Sequence, residues 1–338
     1  MQRQSAGAQP VLHPIHASGR HKIGRRRQKG KEAVVKRSVR FVLLLTGVFG
    51  VATTFVTARA SQGVPTEITV AVTNVEGQPV RELSQEDFTI VEDGRRVAIT
   101  GFRAITEVDA AVSGRTIVLL LGGPGAAVER TADIQAIARD FLSRAGRTDR
   151  VSVVRYGNSK DELTGGRPDM LMRVAEFRII NPPPLYAKTQ EDVLDEVARI
   201  ANELEGEDIA RGRQAIVWIG SSQVFDVTEP ALGTHERLWP YWVKALSAAG
   251  RAGVSVYVVD PHGLTGRVRL NPDGLVAHTG GAIFDNTNRI EAAVDRIWNE
   301  LGSHYVLEYA GAPAGRDLHA IEVTVSEPGA EVRARRSH

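Results

Sequence analysis

Residues 116–121, Thr-Ile-Val-Leu-Leu-Leu, decide the fold of this chain. Their apolar side chains are consecutive rather than alternating, which is the pattern of a strand buried on both faces of a parallel sheet. Residues 214–219 (Gln-Ala-Ile-Val-Trp-Ile) and residues 253–259 (Gly-Val-Ser-Val-Tyr-Val-Val) have the same character. Residues 150–156 form a further strand-like stretch of the same type.

Helical spacing of apolar residues separates these strands. Ranges with an apolar residue every three or four positions are 131–145, 191–204, 240–250 and 290–301. Strands that alternate with helices are typical of a doubly wound α/β fold with a mostly parallel sheet. We therefore predict such a domain over residues 113–302.

The segments on both sides of this domain are rich in strand patterns. Residues 67–73 alternate apolar and polar side chains, and Asp93-Gly94 predicts a hairpin turn between strands. Three further strand-like stretches follow His304. About three strands are too few to bury two faces, so we expect residues 61–110 and residues 303–336 to pair into one β-sandwich. The α/β domain would then be an insertion in that sandwich.

The first 60 residues form a separate segment. A basic run is followed by an apolar stretch at residues 41–56 and by Ala58-Arg59-Ala60, the pattern of a secretory signal cleaved after Ala60. The apolar stretch is shorter than the roughly 20 residues that span a bilayer, yet an uncleaved signal-anchor is the alternative. We expect an exported domain, periplasmic or secreted, or one anchored to the inner membrane with the domain outside the cytoplasm. Contact with the membrane would occur only through this segment.

The composition excludes several classes of function. None of the 338 residues is cysteine, which excludes disulfides, thiolate metal sites and a cysteine nucleophile. The formal net charge is only +2, and the basic residues are concentrated in the first 40 positions. The folded part is therefore net acidic, and we expect it to bind no nucleic acid.

Several short sequence stretches, and the order in which they occur, resemble the VWFA-related acidobacterial domain family, a bacterial branch of the von Willebrand factor A fold. The matching stretches are residues 83–94, 148–154, 212–219, 260–264, 279–281, 305–309 and 333–336. The resemblance extends from Val64 to the C-terminus. It implies a von Willebrand factor A-like domain with flanking β segments.

The resemblance also implies a metal-ion-dependent adhesion site at the carboxyl ends of the strands. The family places an Asp-x-Ser-x-Ser loop after the first strand, a threonine in a second loop and an aspartate after a later strand. Here the first loop has Gly122, Pro124 and Ala126 at those positions, and Ser221 follows the later strand. Thr189 is the one candidate ligand left, and a helix N-cap is its alternative role. We therefore expect a degenerate site with no metal and no cofactor.

The residues suggest no convincing catalytic set. Residues 122–125 (Gly-Gly-Pro-Gly) lack the third glycine of a dinucleotide fingerprint and the Gly-Lys-Ser/Thr of a phosphate loop. Asp260 beside His262 could serve acid–base chemistry, but a carboxylate that caps a loop is the simpler interpretation. Ser221 and Ser222 lack the surroundings of a nucleophile elbow.

An aromatic cluster, Trp239-Pro-Tyr-Trp242, follows the long loop after residue 221. Tryptophan and tyrosine are common anchors of protein interfaces, although packing against the following helix is the alternative. We predict that the carboxyl ends of the strands form a rim that binds a protein partner in the cell envelope or outside the cell. The candidate contact residues of this rim are Gly122, Gly123, Thr189, Ser221, Ser222, Trp239, Tyr241 and Trp242.

Two other functions stay open on the sequence alone. The first is a hydrolase or nucleotide-dependent enzyme that uses the same rim, and the second is a structural component of the envelope. A deep polar pocket at the rim would favour the enzyme, whereas a flat aromatic surface would favour the binding module.

Overall fold

The computed structural model describes residues 64–158, 160–179, 186–205, 213–221, 238–261, 274–285, 290–312 and 319–337. Within these ranges, no helix combines the length and the apolar character needed to cross a bilayer. The signal or anchor predicted for residues 1–60 lies outside the described residues.

Twelve strands and seven α-helices are assigned within these ranges. In chain order they are β1 (Val64–Thr73), β2 (Phe88–Glu92), β3 (Arg95–Val97), β4 (Ile99–Ile105), α1 (Glu107–Ser113), β5 (Thr116–Leu121), α2 (Thr131–Arg144), β6 (Arg150–Arg155), α3 (Arg167–Glu176), α4 (Tyr186–Leu204), β7 (Gln214–Ile219), α5 (Trp239–Arg251), β8 (Val254–Val259), α6 (Leu275–His278), β9 (Ile283–Phe284), α7 (Ile290–Gly302), β10 (His304–Gly311), β11 (Ile321–Val325) and β12 (Glu331–Ala334).

The central segment forms the predicted α/β domain. Its five parallel strands lie in the order β6-β5-β7-β8-β9. Alternate residues of β5 face opposite layers: Val118 and Leu120 pack with α4, α5 and α6, whereas Leu119 and Leu121 pack with α2, α3 and α7. Both faces of the sheet are covered, which explains why the strand sequences are continuously apolar.

The flanking segments form two antiparallel sheets that share one core. One sheet has the order β12-β1-β10-β4 and the other has the order β11-β2-β3. Strand β1 from the N-terminal segment lies between two C-terminal strands, with Ile68 opposite Leu307 and Val72 opposite Val332. The prediction that the two flanks pair into one sandwich is confirmed.

One predicted strand of the sandwich is divided. Residues 96–102 alternate as a single strand would, but the chain changes sheets at Ala98: β3 pairs with β2, and β4 pairs with β10. Three helices, α1, α3 and the single turn α6, were also not predicted. In α1 only Ala110 is buried, so the helix lacks an apolar stripe, although Thr106 and Asp109 form the capping box that starts it. In α3 only Met170 and Val174 are buried, which is too short a pattern to predict a helix.

A buried carboxylate ties the α/β domain to the sandwich. Glu300 of α7 is fully buried and accepts hydrogen bonds from Arg333 of β12 at 2.7 Å, from Arg296 at 3.3 Å and from the Tyr257 hydroxyl at 3.1 Å. Buried charges persist when they are paired and hydrogen-bonded in this way. The network holds the amino half of the parallel sheet close to the sandwich, a juxtaposition that forms part of the candidate site.

Candidate functional site

The carboxyl edge of the parallel sheet is the place where doubly wound folds usually bind ligands, at the point where the strand order reverses. That point lies between β5 and β7. Here the two following loops contact each other directly: Gly122 N–H donates to Ile219 O at 2.9 Å, and the Trp218 indole N–H donates to Gly122 O at 2.5 Å. The carbonyl of the first residue of the loop after β5 therefore already accepts a hydrogen bond from a side chain of the neighbouring strand.

Close packing explains the glycines of these loops. A Cβ atom on Gly123 would lie 2.6 Å from Cζ2 of Trp218, and one on Gly122 would lie 2.8 Å from Cζ of Phe177. Both glycines also have positive φ angles, +114° and +80° respectively, a region that other residues rarely adopt. The glycines let two loops and an indole fill the crevice, rather than opening it for a phosphate.

The residues of this edge do not fit the metal site that the family resemblance implies. Gly122, Pro124 and Ala126 bring no side-chain oxygen, and Ser221 is buried with 2% exposure. Hard divalent cations take six or more oxygen ligands, commonly with carboxylates among them. Within the described ranges, no group of three or more acidic, histidine or cysteine side chains could hold a metal ion.

The structure tests the predictions for Thr189 and Ser222 only in part. Thr189 lies inside α4, which begins at Tyr186 rather than at residue 191, so the alternative of an N-cap at Thr189 is wrong. Its side chain, like all of Ser222 and His262, lies outside the described residues.

Two aspartates follow the strands next to this crevice. Asp260 after β8 is buried with 5% exposure, and its backbone N–H donates to Phe284 O at 2.9 Å, which brings it close to Asp285 after β9. Burial raises the pKa of the Asp285 carboxyl, and the neighbouring charge of Asp260 adds to the rise. Two carboxylates thus lie near each other at the carboxyl ends of β8 and β9.

The aromatic cluster is divided between surface and core. Trp242 is fully buried and packs its indole edge-on against His278, with ring centroids 5.5 Å apart. Tyr241 is half-buried against the same core, whereas Trp239 is 38% exposed at the start of α5. The interpretation of Trp242 as an exposed anchor is therefore wrong, because its side of the helix faces α6. Trp239 is the aromatic residue of the cluster that a partner could reach.

The opposite, amino edge of the sheet contains a feature that the sequence did not reveal. A cavity of about 610 Å³ lies between the starts of β7 and β8, the end of α5, and strands β1, β4 and β10 of the sandwich. Its polar lining includes Glu67, Thr69, Arg103, Arg213, Gln214, Arg251, Ser255, His278, Thr279, His304, Arg335 and Ser337. The volume lies within the range of about 300–1,000 Å³ that is typical of small-molecule sites.

Arg213 is the most buried cation of this cavity, with 4% exposure. Its guanidinium donates to Glu300 O, Gly280 O and the Ser255 hydroxyl, each at 3.1 Å, while its Nε has no hydrogen-bond partner. All of these partners are neutral. In the part of the chain that the structure describes, the charge of Arg213 is not matched by a contacting carboxylate.

Arg335, at the end of β12, has a similar environment. It donates to Gly250 O at 2.9 Å and to the backbone carbonyl of Glu67 at 2.7 Å, and its Nε is buried without a partner. Desolvation lowers the pKa of Arg335 below its ordinary value. Two arginines of the lining thus present positive charge with backbone oxygens as their main neighbours.

His304 also lines the cavity and lies close to several positively charged arginines. It is 4% exposed, its Nδ1 has no hydrogen-bond partner, and burial, followed by the charges of Arg213 and Arg115, lowers its pKa to about 3. The imidazole is therefore neutral at physiological pH. The sequence contained no signal for this cavity, because its polar lining comes from seven strands and helices and from residues after β12, with no ligand-like spacing.

Comparisons with known proteins add little to this description. No protein-family model matches the chain, and no curated protein matches it. Among solved structures, the crystal structure of the human COPII-coat protein Sec24c is similar, with a TM-score of 0.33 and 9% sequence identity. The match covers 70% of this chain and 44% of that chain, so this chain spans less than half the length of that structure.

Proposed function

We propose that this chain is a non-catalytic binding module, related to the von Willebrand factor A-like domains, that docks a protein partner at the carboxyl edge without a metal ion. The observation that carries the proposal is the closure of the crevice between β5 and β7 by Trp218. Among the described residues, the crevice between β5 and β7 is filled by an indole and by the starts of two packed loops, which argues against a substrate pocket at that point. Binding across the outer surface of the edge needs no cavity.

Trp239 is the proposed centre of the docking surface. It begins α5 at the carboxyl edge and exposes 38% of its surface, and exposed tryptophans are frequent hot spots of interfaces. The N-terminal sequence supports a partner in the envelope or outside the cell, because it carries the pattern of an export signal. N-terminal sequencing of the mature protein tests that part of the proposal, and a chain that begins after Ala60 is the expected result.

The docking surface is tested by capture from envelope extracts with wild-type protein, Trp239→Ala and the control variant Val75→Ala. Val75 is 70% exposed on a turn of the sandwich, remote in sequence from the proposed surface. We expect a partner that is retained by wild type and by the control, and that loses at least about tenfold in affinity with Trp239→Ala, as truncated hot spots do. Equal capture by all three proteins would contradict docking at this edge.

The absence of a metal requirement is tested by calorimetry with Mg²⁺, Ca²⁺ and Mn²⁺. We expect no saturable heat at millimolar concentrations and an unchanged melting temperature in EDTA. An ion present at 100 times its Kd would stabilise the fold by about 2.7 kcal/mol, which thermal unfolding detects easily. Stabilisation by an ion that is lost on Thr189→Ala would show that the metal site survives.

A further inference from the structure

We propose that the cavity at the amino ends of β7 and β8 binds a small anionic molecule of metabolite size. This site lies at the opposite edge of the sheet from the proposed docking surface. It does not depend on the function proposed for that surface. The inference rests on the charges of the lining, on its buried polar atoms and on the volume.

The charges of the lining do not balance. Of the four arginines, Arg103 pairs with Glu67 at 3.1 Å, and Arg251 pairs with Glu205 outside the cavity at 3.0 Å. Arg213 and Arg335 remain, and among the described residues their hydrogen-bond partners are backbone carbonyls and the Ser255 hydroxyl. A buried cation is costly unless an opposite charge accompanies it. An anion in the cavity would supply that charge to both arginines.

Unused hydrogen-bonding atoms are concentrated at the same place. Seven buried side-chain nitrogen or oxygen atoms lack a partner in the described part of the chain, and four of them belong to lining residues: Arg213, Gln214, His304 and Arg335. Folded proteins leave few such atoms unsatisfied, so their concentration around one cavity indicates a missing partner. Water could satisfy a neutral group, but the two arginines favour a partner with negative charge.

The size of the cavity narrows the class of ligand. At about 610 Å³ it is larger than an inorganic ion requires and suits an organic anion that carries carboxylate or phosphate groups. Hydroxyl groups of Thr69 and Ser255 also line it and could bind further polar groups of such a molecule. Citrate is a suitable probe, with glucose 6-phosphate as the phosphate-bearing counterpart and glucose as the neutral control.

The direct test is titration calorimetry of the full chain with these three probes. Chloride keeps the ionic strength constant, and the probes stay at low millimolar concentration because citrate at high concentration stabilises proteins by exclusion from their surface. We expect saturable binding of at least one anion and none of glucose. The difference between citrate and the sugar phosphate identifies the preferred anionic group.

Gly250 offers a variant that blocks the cavity without removing a polar group. It lines the cavity near the end of α5, and a Cβ atom added there has Arg335 Nη1 as its closest neighbour at 3.9 Å, an ordinary contact. We expect Gly250→Phe to fold and to lose at least tenfold in anion affinity, whereas Gly250→Ala keeps the wild-type affinity. Because the two variants change the same position, they separate blocked access from an altered helix.

The charge itself is tested by Arg335→Gln, with Arg336→Gln as the matched control on the neighbouring, exposed residue. We expect a loss of at least tenfold only for Arg335→Gln. Absence of saturable binding by both anions would overturn the proposal. It would also be overturned if glucose bound as well as the anions, or if Gly250→Phe and Arg335→Gln both kept the wild-type affinity.

Discussion

At the carboxyl edge of the parallel sheet, the Trp218 indole fills the space between two loops and satisfies the Gly122 carbonyl. At the amino edge of the same sheet, Arg213 and His304 border a cavity of about 610 Å³ and keep polar atoms without partners. Among the described residues, the crevice between β5 and β7, where ligands are expected in this architecture, is thus filled, whereas the opposite edge borders a cavity. The comparison teaches that topology indicates where a site can form, whereas the side chains decide whether it does.

The physical cause of the difference is the kind of backbone that meets at each edge. Glycines let the loops after β5 and β7 approach to van der Waals contact, and an aromatic ring completes the packing. The amino edge instead faces strands β1, β4 and β10, whose side chains there include Glu67, Arg103 and His304. Charged side chains cannot pack as densely as an apolar core without losing hydration.

The largest expected difference in stability between the two edges comes from truncating Trp218. We expect Trp218→Ala to lower the free energy of unfolding by about 3–5 kcal/mol, the usual cost of truncating a large aromatic side chain in a core. Trp218 is fully buried, and its ring packs 5.5 Å from that of Tyr156. Urea denaturation measures the change.

Trp239→Ala is the control for this substitution, because Trp239 is exposed. Its effect on stability should stay within about 0.5 kcal/mol, as is usual for surface positions. Trp218→Phe, which keeps most of the ring, should leave citrate affinity at the amino edge unchanged. If Trp218→Ala were as stable as Trp239→Ala, the carboxyl edge would not be closed by packing.

An intermediate effect is expected from His304 when the pH changes. Its pKa is lowered from 6.5 to about 3 in the fold, so the unfolded chain binds a proton between these values and the folded chain does not. Stability is therefore fully present above pH 6.5 and falls as the pH decreases toward 3. Between pH 7 and pH 5 the free energy of unfolding should drop by about 2 kcal/mol from this residue.

The matched measurement is urea denaturation of His304→Gln at the same two pH values. The difference between wild type and this variant isolates the histidine, since the other groups titrate in both proteins. A bound anion favours a charged imidazole nearby, so saturating sulfate, which does not titrate in this range, should reduce the pH dependence of the wild type. Identical pH dependence in wild type and variant would mean that His304 is accessible to protons in the fold.

The smallest effects come from two glycine-to-alanine substitutions that should differ in sign. At the amino edge, Gly250→Ala meets no close contact and should stabilise the protein by about 0.4–1 kcal/mol, because it restricts the unfolded chain. At the carboxyl edge, Gly123→Ala would place a Cβ atom 2.6 Å from Trp218 at a φ of +114°. It should destabilise by more than about 1 kcal/mol.

Thermal unfolding of the two variants at equal protein concentration measures this contrast. The same chemical change is made at both edges, so the difference reports the local space and backbone conformation. Destabilisation by both substitutions would indicate that the amino edge is packed as tightly as the carboxyl edge, and it would weaken the case for an open cavity.

The order of elements was largely predictable from the sequence. Strands β5 and β7 were predicted with the bounds that the structure has, and α2, α7 and β8 were predicted to within about one residue. The pairing of the two flanking segments could also be predicted from the sequence, because neither segment has enough strands to bury two sheet faces alone. The short helix α1 was missed since it buries little more than Ala110, which leaves no periodic apolar signal.

The candidate sites were less predictable. Trp239 and Trp242 are three positions apart and chemically identical, yet the first is exposed and the second is fully buried. Which of them faces α6 depends on how α5 is rotated against its neighbours. The residue types of the loop after β5, by contrast, could be read from the sequence directly: Gly122, Pro124 and Ala126 have no side-chain oxygen.

By itself, the sequence determined the alternation of strands and helices, the shared sandwich and the residue types that follow β5 and β7. These properties depend on local periodicity, on strand number and on residue type. Only the tertiary structure decided that Trp218 closes one edge and that a charged cavity opens at the other. The cavity walls come from residues as distant in the chain as Glu67, Arg213 and Arg335. Folding places the charges of Arg213 and Arg335 away from water and among backbone carbonyls, where the lack of a contacting carboxylate becomes costly.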